Sequence, residues 1–151
     1  MQRFVCSLML VASLGACASA PSQDLSEAQR LCNKIEAGEW TGDNVAGCTE
    51  IIEHSRSREE RVAAYNLRGV AYGKLGQVEE ALADFDEAVR LAPYFSAAYN
   101  NRANLFSEQG NNTRAAQSFQ AAIRANPKNA SAYNNYAWYL ASRGPHDNAL
   151  K

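Results

Sequence analysis

The side chains with the greatest chemical reactivity in this chain are four cysteines and two histidines. His54 and His146 lie in different regions, and the sequence shows no nucleophile–base pair and no glycine-rich phosphate loop. His54 stands at the end of a predicted helix, where a histidine interacts favourably with the helix dipole. We therefore expect no enzymatic activity and no cofactor.

The first residues have the pattern of a targeting segment. A short basic stretch, residues 1–3, precedes an apolar run over residues 4–14. Cleavage after Ala20 would fit an A-x-A site, but Pro21 would follow the cut, and proline is poorly accepted there. Cleavage after Ala16 would leave Cys17 as the first residue.

Residues 14–17, Leu-Gly-Ala-Cys, resemble the lipobox of bacterial lipoproteins. The resemblance implies that residues 1–16 are a lipoprotein signal peptide and that the Cys17 thiol carries a lipid. Residues 17–24 would then be a small polar tether. By similarity to enterobacterial lipoproteins, Ala18 after the cysteine implies an outer-membrane anchor that faces the periplasm. A secreted soluble protein is the alternative.

Cys32 and Cys48 are the two cysteines beyond this segment, and an even number in an exported chain favours a disulfide. Closing the 15-residue loop between them would contribute about 3 kcal/mol. Two free buried thiols are the alternative. A metal site needs about four ligands, and only His54 lies near, so we expect no metal.

Composition and charge limit the classes of partner. The chain has 151 residues, of which 46% are hydrophobic and 21% charged, as in one globular domain. Its formal net charge of -1 argues against a nucleic-acid partner. No apolar run reaches the roughly 18 residues that a membrane-spanning helix needs.

Two adjacent segments, residues 62–95 and 96–129, are copies of one 34-residue pattern. Equivalent residues of the two copies are Tyr65 and Tyr99, Gly69 and Ala103, Tyr72 and Phe106, Gly76 and Gly110, Ala81 and Ala115, Phe85 and Phe119, Ala88 and Ala122, and Pro93 and Pro127. A third copy starts at residue 130 and stays in register at Tyr133, Ala137, Leu140, Gly144 and Ala149.

These positions resemble the signature of the tetratricopeptide repeat over residues 62–151. The resemblance implies an all-α fold, a short right-handed superhelix of antiparallel helix pairs. Residues 62–95 and 96–129 would be complete repeats, and residues 130–151 a partial third repeat with a capping helix. The glycines after each first helix are expected to be left-handed, and the two prolines to end each second helix. Ser57 and Glu60 predict a capping box before the first repeat.

Residues 25–61 precede the repeats and are predicted to form an extra helix pair. Helical spacing covers residues 25–35 and 43–54, and turn-forming residues occupy 37–44. Because repeat arrays need capped ends, this disulfide-clipped pair would serve as the N-terminal cap. The arrangement is similar to exported repeat proteins of alphaproteobacteria, in which a cysteine-bearing helical segment comes before the repeats.

The predicted helix over residues 130–143 is rich in aromatic residues. One face is expected to pack on the second repeat. The other face would stay open unless residues 145–151 or a partner covers it. The C-terminal helix is therefore a candidate contact for a homo-oligomer.

The resemblance also implies a concave surface, lined by the first helix of each repeat, that binds a protein or an extended peptide. No lysine or arginine occupies the second, fifth or sixth position of any copy, so a clamp for a terminal carboxylate is not expected. Primary amides there could instead pair with peptide groups. The predicted contact residues are Asn66, Asn100, Asn101, Asn104, Asn134 and Trp138. Alternatively, the asparagines bond neighbouring helices as scaffold.

The sequence therefore predicts a protein–protein interaction adaptor or scaffold in the bacterial cell envelope. A regulatory accessory subunit of an envelope enzyme, such as a peptidoglycan hydrolase, is the alternative.

Overall fold

The computed structural model describes residues 25–38 and 40–142. This part of the chain contains seven α-helices and no strand, so the predicted all-α fold is confirmed. The helices are α1 (Ser26–Asn33), α2 (Gly42–His54), α3 (Arg58–Lys74), α4 (Val78–Leu91), α5 (Ser96–Glu108), α6 (Asn112–Ala125) and α7 (Ala130–Ser142). No helix in these two ranges is both long and apolar enough to cross a membrane. The predicted signal peptide, the tether with Cys17, and residues 143–151 lie outside the described residues.

Each complete predicted repeat forms one helix pair, α3 with α4 in the first repeat and α5 with α6 in the second. The helix α7 begins the third repeat. Gly76 and Gly110, between the helices of each pair, have φ of 79° and 70°, as predicted for left-handed residues. Pro93 and Pro127 stand two residues beyond the last residues of α4 and α6. These residues set where each helix stops, so they set the direction in which the next helix returns.

The helices of the first pair approach each other closely at Gly69. A Cβ atom there would lie 2.8 Å from Phe85 Cε1 and 3.2 Å from the Ala81 carbonyl oxygen, so that Phe85 would have to shift to admit one. In the second pair Ala103 occupies the same position, fully buried with Ala115 and Phe119. The small residues predicted at this crossing are therefore confirmed.

The helices α1 and α2 form a cap whose core continues into the first repeat. Ile35 and Ile51 share a buried cluster with Ala64 and Ala71 of α3. Gly47 is a second close crossing, since a Cβ atom there would lie 2.7 Å from the Ala28 carbonyl oxygen. The cap thus covers the apolar end that the first repeat would otherwise expose.

Cys32 of α1 and Cys48 of α2 are joined as a disulfide with Cα atoms 4.8 Å apart. Both cysteines are fully buried in the cap core. The bond therefore ties the two helices of the cap at the centre of their contact.

Two predicted boundaries in the cap are wrong. The helix predicted over residues 25–35 ends at Asn33, because residues 34–38 form a tighter turn of i to i+3 hydrogen bonds that finishes at left-handed Gly38, φ 88°. The turn predicted over residues 37–44 includes the start of α2. That helix begins at Gly42 because Thr41 and Asn44 form a capping box.

The capping box predicted from Ser57 and Glu60 is present in part. The Ser57 hydroxyl accepts a hydrogen bond from the Glu60 backbone N–H at 3.2 Å, which caps α3. The Glu60 carboxylate does not return to Ser57. It accepts from the Ser55 hydroxyl, whose oxygen accepts the Ser57 N–H at 3.0 Å. An extra serine therefore completes the cap.

Candidate functional site

The first helices α3, α5 and α7 lie side by side and form the wall of a groove with a volume of about 340 Å³. Val70, Asn104 and Trp138 line it from the ninth position of each repeat. Leu105 and Tyr139 also line it, one residue further along their helices. The groove therefore presents an equivalent row of three residues, one from each first helix.

A ladder of asparagines connects the first helices along this groove. The Asn101 side-chain N–H donates to the Asn66 carboxamide oxygen at 2.9 Å. One repeat later, Asn135 donates to the oxygen of Asn100 at 3.2 Å. Each bond joins the fifth position of one repeat to the sixth position of the next. The alternative interpretation of the asparagines, as bonds between neighbouring helices, therefore fits the donor and the acceptor of each ladder bond.

The structure separates the six predicted contact residues into three groups. Asn66 and Asn100 are buried and expose only 9% and 8% of their surface, so little of either is open to a partner. Asn101 and Asn104 are half-buried and line the groove. Trp138 lines the groove and is 73% exposed, while Asn134 is exposed on α7 outside the lining residues.

Asn104 differs from its neighbours because its side chain forms no hydrogen bond within residues 25–38 and 40–142. A primary amide carries two donor hydrogens and one acceptor oxygen. These groups are available to an external partner, because Asn104 is only half-buried and its amide atoms are not among the buried polar atoms that lack a partner in the described part of the chain.

Asn135 is a groove residue that the sequence analysis did not select. It aligns with Asn101, and the signal that could have identified it is the comparison of the sixth position in the second and third copies. Its role as a ladder donor depends on which side of α7 faces α5, and that becomes visible only when the helices are packed.

The charged residues among those lining the groove are Lys74 and Glu108. Their side chains pair with each other, with the Lys74 Nζ atom 3.3 Å from a Glu108 carboxylate oxygen. The two residues occupy the same position in successive repeats. In the described ranges no group of three or more histidine, cysteine, aspartate or glutamate residues is placed to bind a metal ion.

Arg68 fixes α3 on the side away from the lining residues. Its guanidinium donates two hydrogen bonds of 2.8 Å to Asp84 of α4 and a third of 2.9 Å to the Thr49 hydroxyl of α2. The bonds to the Asp84 carboxylate raise the pKa of Arg68 above its usual value, and burial acts in the opposite direction. Three helices are thus joined behind the groove by one charged side chain, which sequence analysis did not identify.

The second repeat varies this arrangement. Arg102, the equivalent of Arg68, pairs with Asp86 of the preceding repeat and lies 5.3 Å from the centroid of the Tyr99 ring. Ser118 stands where the first repeat has Asp84. The Arg102 Nε atom is consequently buried without a hydrogen-bond partner among the described residues.

Two family models described as tetratricopeptide repeat match the chain, one over residues 62–95 and one over residues 100–151. The repeats of this chain are tetratricopeptide repeats. The crystal structure of MamA is similar in fold, with a TM-score of 0.64 and 17% sequence identity over 83% of this chain and 71% of that chain. No curated protein matches the sequence.

Tetratricopeptide repeats bind protein partners, and the groove of this chain lies along its successive first helices. Asn101, Asn104, Asn135 and Trp138 are among the described residues that line this groove with polar or aromatic groups. The tetratricopeptide array is therefore a protein-interaction module.

Proposed function

We propose that this protein is an adaptor of the bacterial cell envelope that binds one polypeptide segment in the groove of its tetratricopeptide repeats. The observation that carries the proposal is the side-chain amide of Asn104, which has no hydrogen-bond partner among the described residues and lies between Val70 and Trp138 in the groove row. Peptide groups of an extended segment offer the donors and acceptors that such an amide can pair with. Trp138 supplies an exposed aromatic surface of the kind that anchors partners.

The envelope location is a separate part of the proposal. It is supported by the lipobox-like residues before Cys17 and by the pairing of Cys32 with Cys48, because disulfides persist in oxidising compartments. A lipid on Cys17, with residues 18–24 as tether, would hold the cap and groove near a membrane surface.

Photo-crosslinking in living cells tests the groove. A photoreactive amino acid replaces Asn104, and a matched probe replaces Ala83, an exposed residue of the second helix α4. We expect one dominant adduct from position 104 and none from position 83. If the captured partner is a single enzyme, the accessory-subunit alternative is favoured over a general adaptor. Adducts from position 83 alone would contradict the proposed groove.

The mass of the mature N-terminus tests the anchor. In the native host we expect a diacylated Cys17 at the N-terminus, and we expect Cys17→Ser to release the protein from the membrane fraction. Cys32→Ser together with Cys48→Ser is the matched control, since these residues form the cap disulfide and should leave membrane attachment unchanged. An unacylated mature N-terminus would contradict the lipid anchor.

Association of two copies through α7 is a second candidate arrangement. It is favoured by Tyr133 and Leu140, which are 45% and 46% exposed although the equivalent residues of both earlier repeats are partly buried. Light scattering over a range of concentrations measures the mass. We expect Leu140→Glu to lower it, and one-chain mass at every concentration before substitution would contradict this arrangement.

A further inference from the structure

The connections between the helices lie at two opposite edges of the array. Those that join each second helix to the next first helix are residues 55–57, 92–95 and 126–129. The Arg58 guanidinium at the start of α3 donates to the Leu91 carbonyl at the end of α4. The Ser96 hydroxyl at the start of α5 donates to the Ala122 carbonyl near the end of α6 at 2.8 Å and accepts from the Asn129 side chain before α7 at 2.9 Å. These three connections therefore share one edge, which we call the basal edge.

The chain enters the fold on the side of the basal edge. Asn44, near the start of α2, donates to the Leu31 carbonyl near the end of α1 at 2.9 Å. Gly47, three residues later in α2, lies against Ala28, three residues earlier in α1. The two helices are therefore antiparallel, and α1 begins beside the half of α2 that ends at the basal edge.

The length of chain before α1 limits how far the basal edge can lie from a lipid on Cys17. Residues 17–24 span at most about 28 Å when fully extended, and a flexible segment of this length is shorter on average. The opposite edge lies further away by the length of a helix, which is about 20 Å for the 13 residues of α5. The basal edge would therefore be the edge nearer to the membrane surface.

The part of the basal edge formed by α4 to α7 is positively charged. Arg124 in the last turn of α6 and Lys128 in the connection to α7 are exposed and form no ion pair within the described ranges. Arg90 in the last turn of α4 is also exposed, but it pairs with Glu87. Arg56 adds an exposed cation in the connection before α3. The unpaired charge of this part of the edge is therefore positive.

The carboxylates lie elsewhere on the two edges. At the basal edge they are found in the cap and in the first turn of α3, as Glu27, Glu53, Glu59 and Glu60. The opposite edge contains residues 34–41, 75–77 and 109–111. Beside these connections Asp43, Glu79 and Glu80 are exposed in the first turns of α2 and α4, and Arg114 adds an exposed cation. The repeats therefore carry their unpaired positive charge at the basal edge and an excess of carboxylates at the other.

Tyr94 lies in the middle connection of the basal edge and is 65% exposed. Lys128 occupies the equivalent position of the next connection, since each residue follows the proline that ends a repeat. Tyrosine combines an apolar ring with a polar hydroxyl and is enriched at the boundary between lipid and water. The cations alone would also suit an acidic protein, but the short segment between Cys17 and α1 favours a membrane surface.

We infer that the basal edge lies on a membrane surface that carries anionic phospholipids. Arg124 and Lys128 face the lipid phosphates, and Tyr94 lies at the level of the headgroups. Basic residues near such a surface are attracted to it, and the attraction adds to that of a lipid chain. The inference rests on the envelope part of the proposed function, because the lipid on Cys17 brings this edge to the membrane.

This orientation leaves the groove open to a partner. Asn104 lies eight residues beyond the start of α5, and a helix rises 1.5 Å per residue. The Asn104 amide is therefore about 12 Å from the basal edge. The lining residues Lys74 and Glu108 end their helices at the opposite edge. The groove thus lies in the half of the array that points away from the membrane.

Photo-crosslinking of the full chain in the native host tests the orientation. A photoreactive amino acid replaces Tyr94, and the matched probe replaces Leu75, which is 47% exposed in a connection of the opposite edge. Mass spectrometry identifies the adducts. We expect phospholipid adducts from position 94 at a yield at least about fivefold above that from position 75.

Reconstitution tests the charge. The acylated protein with the probe at position 94 is placed in vesicles of phosphatidylcholine alone or of phosphatidylcholine mixed with phosphatidylglycerol. We expect a higher yield of lipid adducts in the anionic vesicles, and Arg124→Gln with Lys128→Gln should lower that yield at least about fivefold. The matched control is Lys74→Gln with Arg114→Gln, which removes two cations from the opposite edge and should leave the yield unchanged.

The other outcomes would overturn the inference, and they separate it from the proposed function. Equal lipid yields from positions 94 and 75 would mean that the array has no fixed orientation. Protein adducts in place of lipid adducts at position 94 would make the basal edge a protein interface. A yield that is insensitive to both lipid charge and Arg124→Gln with Lys128→Gln would exclude the electrostatic contact. If Cys17 is acylated and position 94 captures no lipid, the inference fails and the anchor stands. An unacylated N-terminus with no lipid adducts would remove both.

Discussion

At the scale of single residues, the two aspartates of α4 that pair with arginines differ in environment. Asp84 binds Arg68, and the two side chains are only 7% and 16% exposed. Asp86 binds Arg102 with its own carboxylate 62% exposed. Because water and salt screen exposed pairs, the Arg102–Asp86 pair should contribute less to the free energy of unfolding than the Arg68–Asp84 pair.

Asp84→Asn should lower the free energy of unfolding by about 3 kcal/mol, since it leaves the buried Arg68 without its counter-ion. The matched variant Asp86→Asn should cost less than about 1 kcal/mol. Urea denaturation followed by circular dichroism measures both. Equal losses would mean that the Arg68 pair is not the anchor of α2, α3 and α4.

Two glycines of α3 provide a second contrast. At Gly69 a Cβ atom would meet Phe85 at 2.8 Å, whereas at Gly73 the nearest atom, Leu105 Cδ1, is 3.5 Å away, an ordinary contact. Gly69→Ala should destabilise the protein by about 1 kcal/mol, because overpacking outweighs the gain in helix propensity. Gly73→Ala should stabilise it by about 0.5 kcal/mol. Thermal unfolding gives both signs, and stabilisation by both variants would refute the close crossing.

At the scale of helices, Asn101 and Asn104 of α5 have separable tasks. Asn101→Ala leaves the buried Asn66 oxygen without its donor and should cost about 1–2 kcal/mol of stability. Asn104→Ala removes no hydrogen bond of the described part of the chain and should change stability by less than about 0.5 kcal/mol while weakening partner capture. Melting curves measure the change in stability of each variant, and crosslinking yields measure the change in partner capture. A loss of stability in the Asn104 variant as large as that of Asn101 would contradict it.

The cap helices α1 and α2 depend on their disulfide. Reduction, or Cys32→Ser with Cys48→Ser, should lower the free energy of unfolding by about 3 kcal/mol, the closure term for the loop between them. Urea curves with and without reductant measure the loss, and the double variant should not respond to reductant. Alkylation of both cysteines in the untreated, folded-state sample after denaturation would show free thiols and contradict the bond.

At the scale of the whole molecule, most of the fold could be predicted from the 34-residue repeat period. Glycine, alanine and proline at fixed intervals indicate where helices cross and where they end, so the helix pairs could be assigned from the sequence. The end of α1 could not, because Leu31 to Ile35 keeps helical spacing while the backbone tightens toward Gly38. The asparagine ladder and the Arg68 contacts could not be predicted from the sequence either. The ladder joins residues 35 positions apart, and Arg68 contacts residues 16 and 19 positions away. Which residues pair over such separations is defined only when the helices pack.

The asparagine ladder also makes the array suited to evolutionary extension by duplication of a repeat. Every rung takes an acceptor from one unit and a donor from the unit after it, so the second repeat, with Asn100 and Asn101 side by side, can both receive and extend. Such a repeat can be duplicated in tandem without substitutions in the repeats beside it. An unequal crossover that duplicated residues 96–129 would lengthen the groove by one helix pair. The cap and the last helix would still contact the same repeat sequences as before.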